Sequence, residues 1–257
     1  MQGLQTNAEV DKSLIPTYNI LGVNIAAIDM EWALSYLNEH LPQLAGDYIC
    51  VSNVHTVVTA SEDESYRRVQ NGGVMALPDG APLSILAHLR GCKQMERITG
   101  PDLMGEIFRV SAERGYRHFF YGSTLETLQK LREEVQRRYS GLEVAGMYSP
   151  PFRPLSMEED DQIVREINAA APDFVWVGLG APKQELWMAQ HQGRVNALMI
   201  GVGAGFDYHA GNIKRAPEWM QRCALEWLYR LLQDPVRLAG RYLAVNSKFI
   251  WKTVRGR

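Results

Sequence analysis

Apolar residues recur at helical spacing in residues 30–41 (MEWALSYLNEHL), and the short apolar run at 47–52 (DYICVS) predicts a buried strand. The alternation then repeats. Residues 117–121 (RHFFY) predict a strand, Gly122 a turn, and Ser123 with Glu126 has the spacing of a capping box ahead of a helix that reaches Arg138. Residues 142–147 (LEVAGM) predict the next strand, followed by a Pro-rich loop at 149–154 and a helix with Ser156 as its N-cap. The runs 173–177 (DFVWV) and 197–202 (ALMIGV) are continuously apolar and lead into glycines, the pattern of parallel strands buried on both faces. Strands alternating with helices predict an α/β fold with a Rossmann-like, largely parallel sheet.

The last 46 residues read differently. Residues 216–233 predict one helix with Pro217 near its first turn, and Asp234-Pro235 predicts the opening of a second. At about 100° per residue, Arg237, Arg241, Lys248, Lys252 and Arg255 share a stripe of roughly 60° on that second helix. Leu238, Tyr242, Leu243, Val245, Phe249 and Ile250 take much of the opposite side. Charge divides at the same point. Residues 1–211 carry 17 Lys and Arg against 26 Asp and Glu, whereas residues 212–257 carry 10 against 3. We therefore divide the chain into an α/β unit, 1–211, and a basic helical C-terminal appendage, 212–257, whose surplus suits an anionic surface such as a membrane interface. A tail docked on the acidic body, or an ordinary packing helix with a solvated basic face, accounts for the same pattern.

Composition narrows the class. With 257 residues, 46% hydrophobic and 22% charged, the chain has a globular core and is neither disordered nor a disulfide scaffold. Its formal charge of −2 speaks against a globally basic nucleic-acid binder. The three cysteines, Cys50, Cys92 and Cys223, form no close pair, which fits a reducing cytoplasm, and the polar first residues hold no apolar core, so no secretory leader is expected. No apolar run approaches a membrane span.

In parallel sheets the loops at the carboxyl ends of strands build the site. Three glycine-bearing loops qualify: Gly122-Ser123-Thr124, residues 178–185 (GLGAPKQE) and residues 201–205 (GVGAG). The second leads through Pro182 into a helix start at which Lys183 and exposed amides suit a nucleotide diphosphate. None matches GxGxxG or GxxxxGK[ST], and turn glycines with a structural role are the plain alternative. Asp79, in the turn Pro78-Asp79-Gly80, is a candidate general base, although the turn taken alone favours a turn or N-cap residue. Arg97 suits a pyrophosphate or a surface ion pair, and Asp102 is a second carboxylate nearby. The histidines lack HExxH spacing, no metal site is indicated, and no GxSxG elbow occurs.

Taken as ordered blocks, these segments are similar to the WecG/TagA/CpsF family of bacterial glycosyltransferases from about Tyr18 to the tail. The carrying blocks are Asn53 with the helix after it, Asn71 through Pro78-Asp79-Gly80, residues 96–103 (ERITGPDL), 180–185 (GAPKQE), 201–207 (GVGAGFD), and 210–219 (AGNIKRAPEW) running into 225–230 (LEWLYR). Residues 52–56 (SNVHT) depart from the Asn-Ala-Asp or Asn-Ala-Glu run common in the family. The resemblance implies an inverting, metal-independent transferase that moves a hexose from a UDP-sugar to a sugar on a polyprenyl diphosphate, peripherally at the inner face of the cell membrane. N-acetylmannosamine, its uronic acid and glucose are all used within the family.

By the same resemblance Asp79 is the base, Arg97 and Gln184 line the substrate pocket, and Arg230, Arg237 and Arg241 come over it from the appendage; Asn53, from the first carrying block, and Lys183, from its helix start, are added as substrate-binding candidates. No cofactor, metal or nucleic acid is implied, and the oligomeric state stays open. Two rivals are a nucleotide-binding oxidoreductase, which needs the missing GxGxxG, and a non-catalytic, membrane-docked sugar-nucleotide-binding protein.

Overall fold

The computed structural model describes residues 12–255, leaving the side chains of Ser13, Arg222, Arg237 and Arg241 outside the description. Strands β1 (Thr17–Ile20) and β2 (Val23–Ala26) form a hairpin before helix α1 (Met30–His40). Then come β3 (Tyr48–Ser52), α2 (Val54–Glu62), α3 (Glu64–Gly72), β4 (Met75–Pro78), α4 (Ala81–Leu89) and α5 (Gly100–Arg114). The second half runs β5 (Arg117–Gly122), α6 (Leu125–Arg138), β6 (Glu143–Tyr148), α7 (Met157–Ala169), β7 (Phe174–Gly178), α8 (Lys183–Gln190), β8 (Leu198–Gly201) and α9 (Gly205–His209). The appendage adds α10 (Glu218–Arg222), α11 (Glu226–Gln233) and α12 (Pro235–Val254).

The eight strands lie in the order β1-β2-β4-β3-β8-β7-β5-β6, with only the β1–β2 pair antiparallel. The expected α/β sheet is therefore observed. One face is covered by α1, α5 and α6 through Leu37, Phe108 and Leu131; the other by α2, α3, α7 and α8 through Val57, Tyr66, Ile163 and Met188. Burial on both faces explains why β3, β7 and β8 read as continuous apolar runs. It also puts β3 and β8 side by side at the middle of the sheet, with β4 and β7 outside them. The loops after these four strands consequently share one edge.

Three local readings need correction. The N-cap of α6 is Thr124, whose hydroxyl accepts from the Thr127 amide, and not Ser123, which takes a positive φ of 59° in the turn. Residues 216–233 form two helices instead of one, because the chain breaks after Arg222 and Ala224 adopts φ 60°. The apolar residues of α12 also form two faces. Leu238 and Phe249 are buried, and the helix packs on α2, whereas Leu243 and Ile250 point outward with Val236 and Val254.

Two of the basic residues on α12 face the body. Lys248 lies 3.0 Å and Lys252 3.7 Å from Glu62. The guanidinium of Arg255 sits 4.2 Å from the centre of the Trp251 ring. For the two lysines the docked-tail alternative is the one observed, whereas Arg255 meets only a ring of its own helix. The backbones of Arg237 and Arg241 lie in the first two turns of α12; their side chains fall outside the described residues.

Candidate functional site

The turn after β4 is fixed by its backbone. The Asp79 amide donates to the Ser52 carbonyl at 2.7 Å, and Gly80 follows at φ +94°, a conformation that favours glycine, so the chain can turn into α4. Asp79 therefore stands at the carboxyl end of β4 beside the end of β3. Asn53, the first residue past β3, has two duties. Its Oδ1 accepts from the amides of His55 (3.0 Å) and Thr56 (3.3 Å) to cap α2, while its side-chain amide donates to the Asp79 carboxylate. A capping residue thereby becomes a brace for Asp79.

Around Asp79 gathers a ring of charge drawn from distant parts of the chain. Arg97 Nη1 is 2.5 Å from Glu226 Oε2, and Arg97 Nη2 is 4.0 Å from Asp102 Oδ2. Arg215 forks onto Asp102, with Nη2 at 3.0 Å from Oδ2, and its Nε lies 3.9 Å from Glu226 Oε1. That Nε is buried and has no hydrogen-bond partner. The Tyr208 ring lies between two guanidiniums, Arg215 at 5.8 Å and Arg230 at 5.6 Å from its centre.

The electrostatics follow from this crowding. Burial first and the Glu226 carboxylate second push the Asp79 carboxyl up to about 6, against the pull of Arg97, Arg230 and the Asn53 amide. Burial raises the Tyr208 hydroxyl to about 12. At Asp102 burial also pushes upward, but the Arg215 fork and the Thr99 hydroxyl outweigh it and hold the carboxyl below its ordinary range. A carboxylate whose conjugate acid has a pKa near 6 is a usable proton acceptor at neutral pH.

The other sequence candidates lie across β3 and β8. Gln184 is only 3% exposed, and its Oε1 accepts from the amides of Gly180 (3.1 Å) and Gly203 (3.0 Å), tying together the loops after β7 and β8. Its Nε2 donates to Glu185 Oε1 at 2.8 Å. From Glu185 a buried chain continues: Tyr66 OH donates to Oε2 (3.1 Å), Gln70 donates to Tyr66 OH (3.0 Å), and Ser52 Oγ donates to Gln70 Oε1 (2.6 Å). It ends one residue from Asn53. Lys183 sits exposed at the first residue of α8 and enters none of these contacts.

The fold therefore brings together Asn53, Asp79, Arg97 and Arg230, reaches Gln184 through the buried chain, and leaves Lys183 apart. Sequence reasoning did not single out Tyr208, Arg215 or Glu226. Arg215 and Glu226 were legible as charges inside the appendage, but Glu226 takes its direction from the break between α10 and α11, and Arg215 from its fork onto the distant Asp102. Beyond Arg97 an open cleft of about 530 Å³ runs between α4 and α10, lined by Ser84, His88, Glu96, Glu218 and Gln221. Among the described residues no group of three or more His, Cys, Asp or Glu side chains is gathered to hold a metal ion, and no helix is long and apolar enough to cross a membrane.

Similarity to known proteins runs through these loops. The family described as glycosyl transferase WecG/TagA/CpsF matches residues 18–257. The chain is 33% identical over 199 residues to an N-acetylglucosaminyldiphosphoundecaprenol N-acetyl-beta-D-mannosaminyltransferase of Bacillus spizizenii, covering 77% of this chain and 76% of the relative. It is 32% identical over 206 residues to a protein of the same description from Bacillus subtilis, covering 79% and 78%. Because the match takes in every loop that meets at the Asp79 edge as well as the appendage, the chain belongs to the WecG/TagA/CpsF family of glycosyl transferases.

Proposed function

We propose that the protein transfers an N-acetylmannosamine-type hexose from a UDP-sugar, with inversion, to a sugar carried on a polyprenyl diphosphate. The curated relatives, by their descriptions, transfer N-acetylmannosamine to N-acetylglucosaminyl-diphospho-undecaprenol, which supports both the sugar and the acceptor class. The observation that carries the chemistry is Asp79, braced by Asn53 and set among Arg97, Arg215 and Arg230 at the carboxyl edge of the sheet. Asp79 takes the proton of the acceptor hydroxyl as its oxygen bonds to C1 of the donor hexose. The bond from C1 to the UDP oxygen breaks on the opposite face, and UDP leaves with the electron pair.

Inversion needs one base on one face, and the departing diphosphate needs positive charge. In this reading Arg230 supplies it directly, since no carboxylate pairs with it among the described contacts. Arg97 and Arg215, each held by an acid, shape the field. We assign the acceptor sugar to the cleft beyond Arg97, where the Ser84 hydroxyl, the His88 imidazole and the carboxylates of Glu96 and Glu218 suit the hydroxyls of a neutral sugar. Gln184 and Lys183 belong to the far loop, Gln184 as a brace between two glycine turns and Lys183 as an exposed charge at the rim. The outward stripe of α12 supports a peripheral seat on the inner membrane face, where the lipid-linked acceptor lies.

The test is to incubate the protein with a panel of UDP-sugars and a polyprenyl-diphosphate-linked N-acetylglucosamine, with and without chelator, and to identify the product by mass. Addition of one N-acetylhexosamine, unaffected by chelator, is expected. Hydrolysis of the donor alone, transfer only with an added divalent cation, or no product from any UDP-sugar would each overturn a stated part of the reading.

A further inference from the structure

We infer that Glu226 is the positioning residue that seats the appendage on the α/β body, and that its pairing with Arg97 sets the rotation of α11 that carries Arg230 over Tyr208. The inference rests on the reading of Arg230 as the diphosphate ligand. It starts from how little else holds α11. This helix of eight residues buries none of its side chains fully, and its N-cap, Leu225, provides no side-chain hydrogen bond. Trp227 and Leu232 are exposed, Leu228, Tyr229 and Leu231 are only half-buried, and the Trp227 ring meets Tyr242 of α12, so apolar packing holds the helix only in part. At the far end Gln233 donates to the Lys214 carbonyl at 3.2 Å, a tie within the appendage itself.

The described polar tie from α11 to the body is Glu226 on Arg97 at 2.5 Å, with a side-chain exposure of 17% for the acid and 22% for the base. A charge-assisted contact of that length fixes direction as well as distance. Glu226 and Arg230 are four residues apart and therefore share a helix face. With Glu226 drawn onto Arg97, that face is turned toward the site, and Arg230 comes to lie against the Tyr208 ring within the field of Asp79. The same carboxylate stands 3.9 Å from the orphaned Arg215 Nε, so it faces Arg97 of the body and Arg215 of the appendage at once. A neutral residue at this position leaves Arg97 without its nearest acid and α11 free to roll.

The experiment is a double-mutant cycle of Glu226→Ala and Arg230→Ala, read as UDP affinity by calorimetry and as kcat/KM with the lipid-linked acceptor. Each single change is expected to lower kcat/KM by roughly 100-fold, the scale for losing one preorganised donor at a developing charge. The double variant is expected to be no worse than about twofold below either single, because Arg230 has nothing left to contribute once Glu226 is gone. Glu226→Gln keeps a hydrogen bond to Arg97 and is expected to retain an intermediate activity; it also serves if the alanine variant fails to fold, as judged by thermal melting. Multiplied losses in the double variant, or full activity and UDP affinity in Glu226→Ala, would overturn the positioning role. If Arg230→Ala alone binds UDP and turns over normally, the diphosphate reading fails and the inference goes with it. Full losses for Arg230→Ala with none for Glu226→Gln and Glu226→Ala sink only the inference.

Discussion

On one side of β3 and β8 lies a polar chain of five residues, Gln184, Glu185, Tyr66, Gln70 and Ser52, none more than 3% exposed and each joined to the next by a hydrogen bond. On the other side lie Asp79, Arg97, Asp102, Arg215, Glu226 and Arg230, charged and partly open to solvent, with the Tyr208 ring among them. The buried chain satisfies its groups by uncharged donors, with burial holding the Glu185 carboxyl above its ordinary range. The open cluster keeps an arginine nitrogen without a partner and an aspartate with an elevated pKa. A satisfied network rigidifies loops, whereas an unsatisfied one is prepared for a ligand. In the proposed reading the two divide the work: one holds the loops in place and the other acts on what binds between them.

The largest effect should come from Asp79→Asn. Turnover is expected to fall by roughly 100-fold or more, as for loss of a general base. Stability should move the other way. An aspartate carried from 3.8 to about 6 binds its proton more tightly when folded, so its contribution is complete below pH 3.8 and is lost as pH rises through about 6. Above pH 7 the ionised carboxylate costs up to about 3 kcal/mol, and the asparagine variant is expected to melt higher than the parent at pH 8. A folded variant with near-normal kcat would remove Asp79 from the mechanism.

The same value sets the pH profile of the unmodified protein. Because the carboxylate is the active form, kcat/KM should be level above pH 7 and fall about tenfold per unit below pH 6. Removing the Glu226 charge takes away the second cause of the elevation, so the acid limb of Glu226→Gln is expected at lower pH. A limb that stays at 6 in that variant would separate Asp79 from the charged cluster.

Much of this architecture was legible in the sequence, for reasons that differ by element. Strands β3, β7 and β8 announce themselves because burial on both faces leaves no room for polar residues. Ser156 capping α7 with Glu159 is local chemistry and needs no tertiary information. The β1–β2 hairpin was missed because its turn is Leu21-Gly22, without the Asn-Gly signal, although both residues take positive φ. Glu226 was missed as a site residue for a related reason. The stretch from Ala216 to Gln233 has one helical period, and neither glycine nor proline marks the bend at Ala224 that turns Glu226 inward.

A smaller effect is expected on the outward face of α12. Val236, Leu243, Ile250 and Val254 fall on one stripe and are 97%, 75%, 60% and 81% exposed. Lys248 and Lys252 are already paired with Glu62, so apolar insertion should outweigh their charge in membrane binding. The double change Leu243→Ser, Ile250→Ser is expected to weaken binding to anionic vesicles by about tenfold or more, since each buried methylene contributes about 0.8 kcal/mol. Activity on a short-chain, water-soluble acceptor should be unchanged. Unaltered vesicle binding would assign the stripe to another surface.

The smallest effect on activity should come from the buried chain, and it sharpens the contrast most directly. Tyr66→Phe removes one hydroxyl, leaving Glu185 Oε2 without its donor and Gln70 Nε2 without its acceptor. Each orphaned buried group costs about 1–3 kcal/mol. For a chain of this length, a loss of about 2 kcal/mol lowers the melting temperature by about 4–8 °C. Turnover per folded molecule should change less than about threefold, because Gln184 still joins the two glycine loops and Asn53 still holds Asp79. A variant that melts normally but loses most of its kcat would mean that the chain reaches the reaction itself, and the division between a bracing network and an acting one would fail at Tyr66.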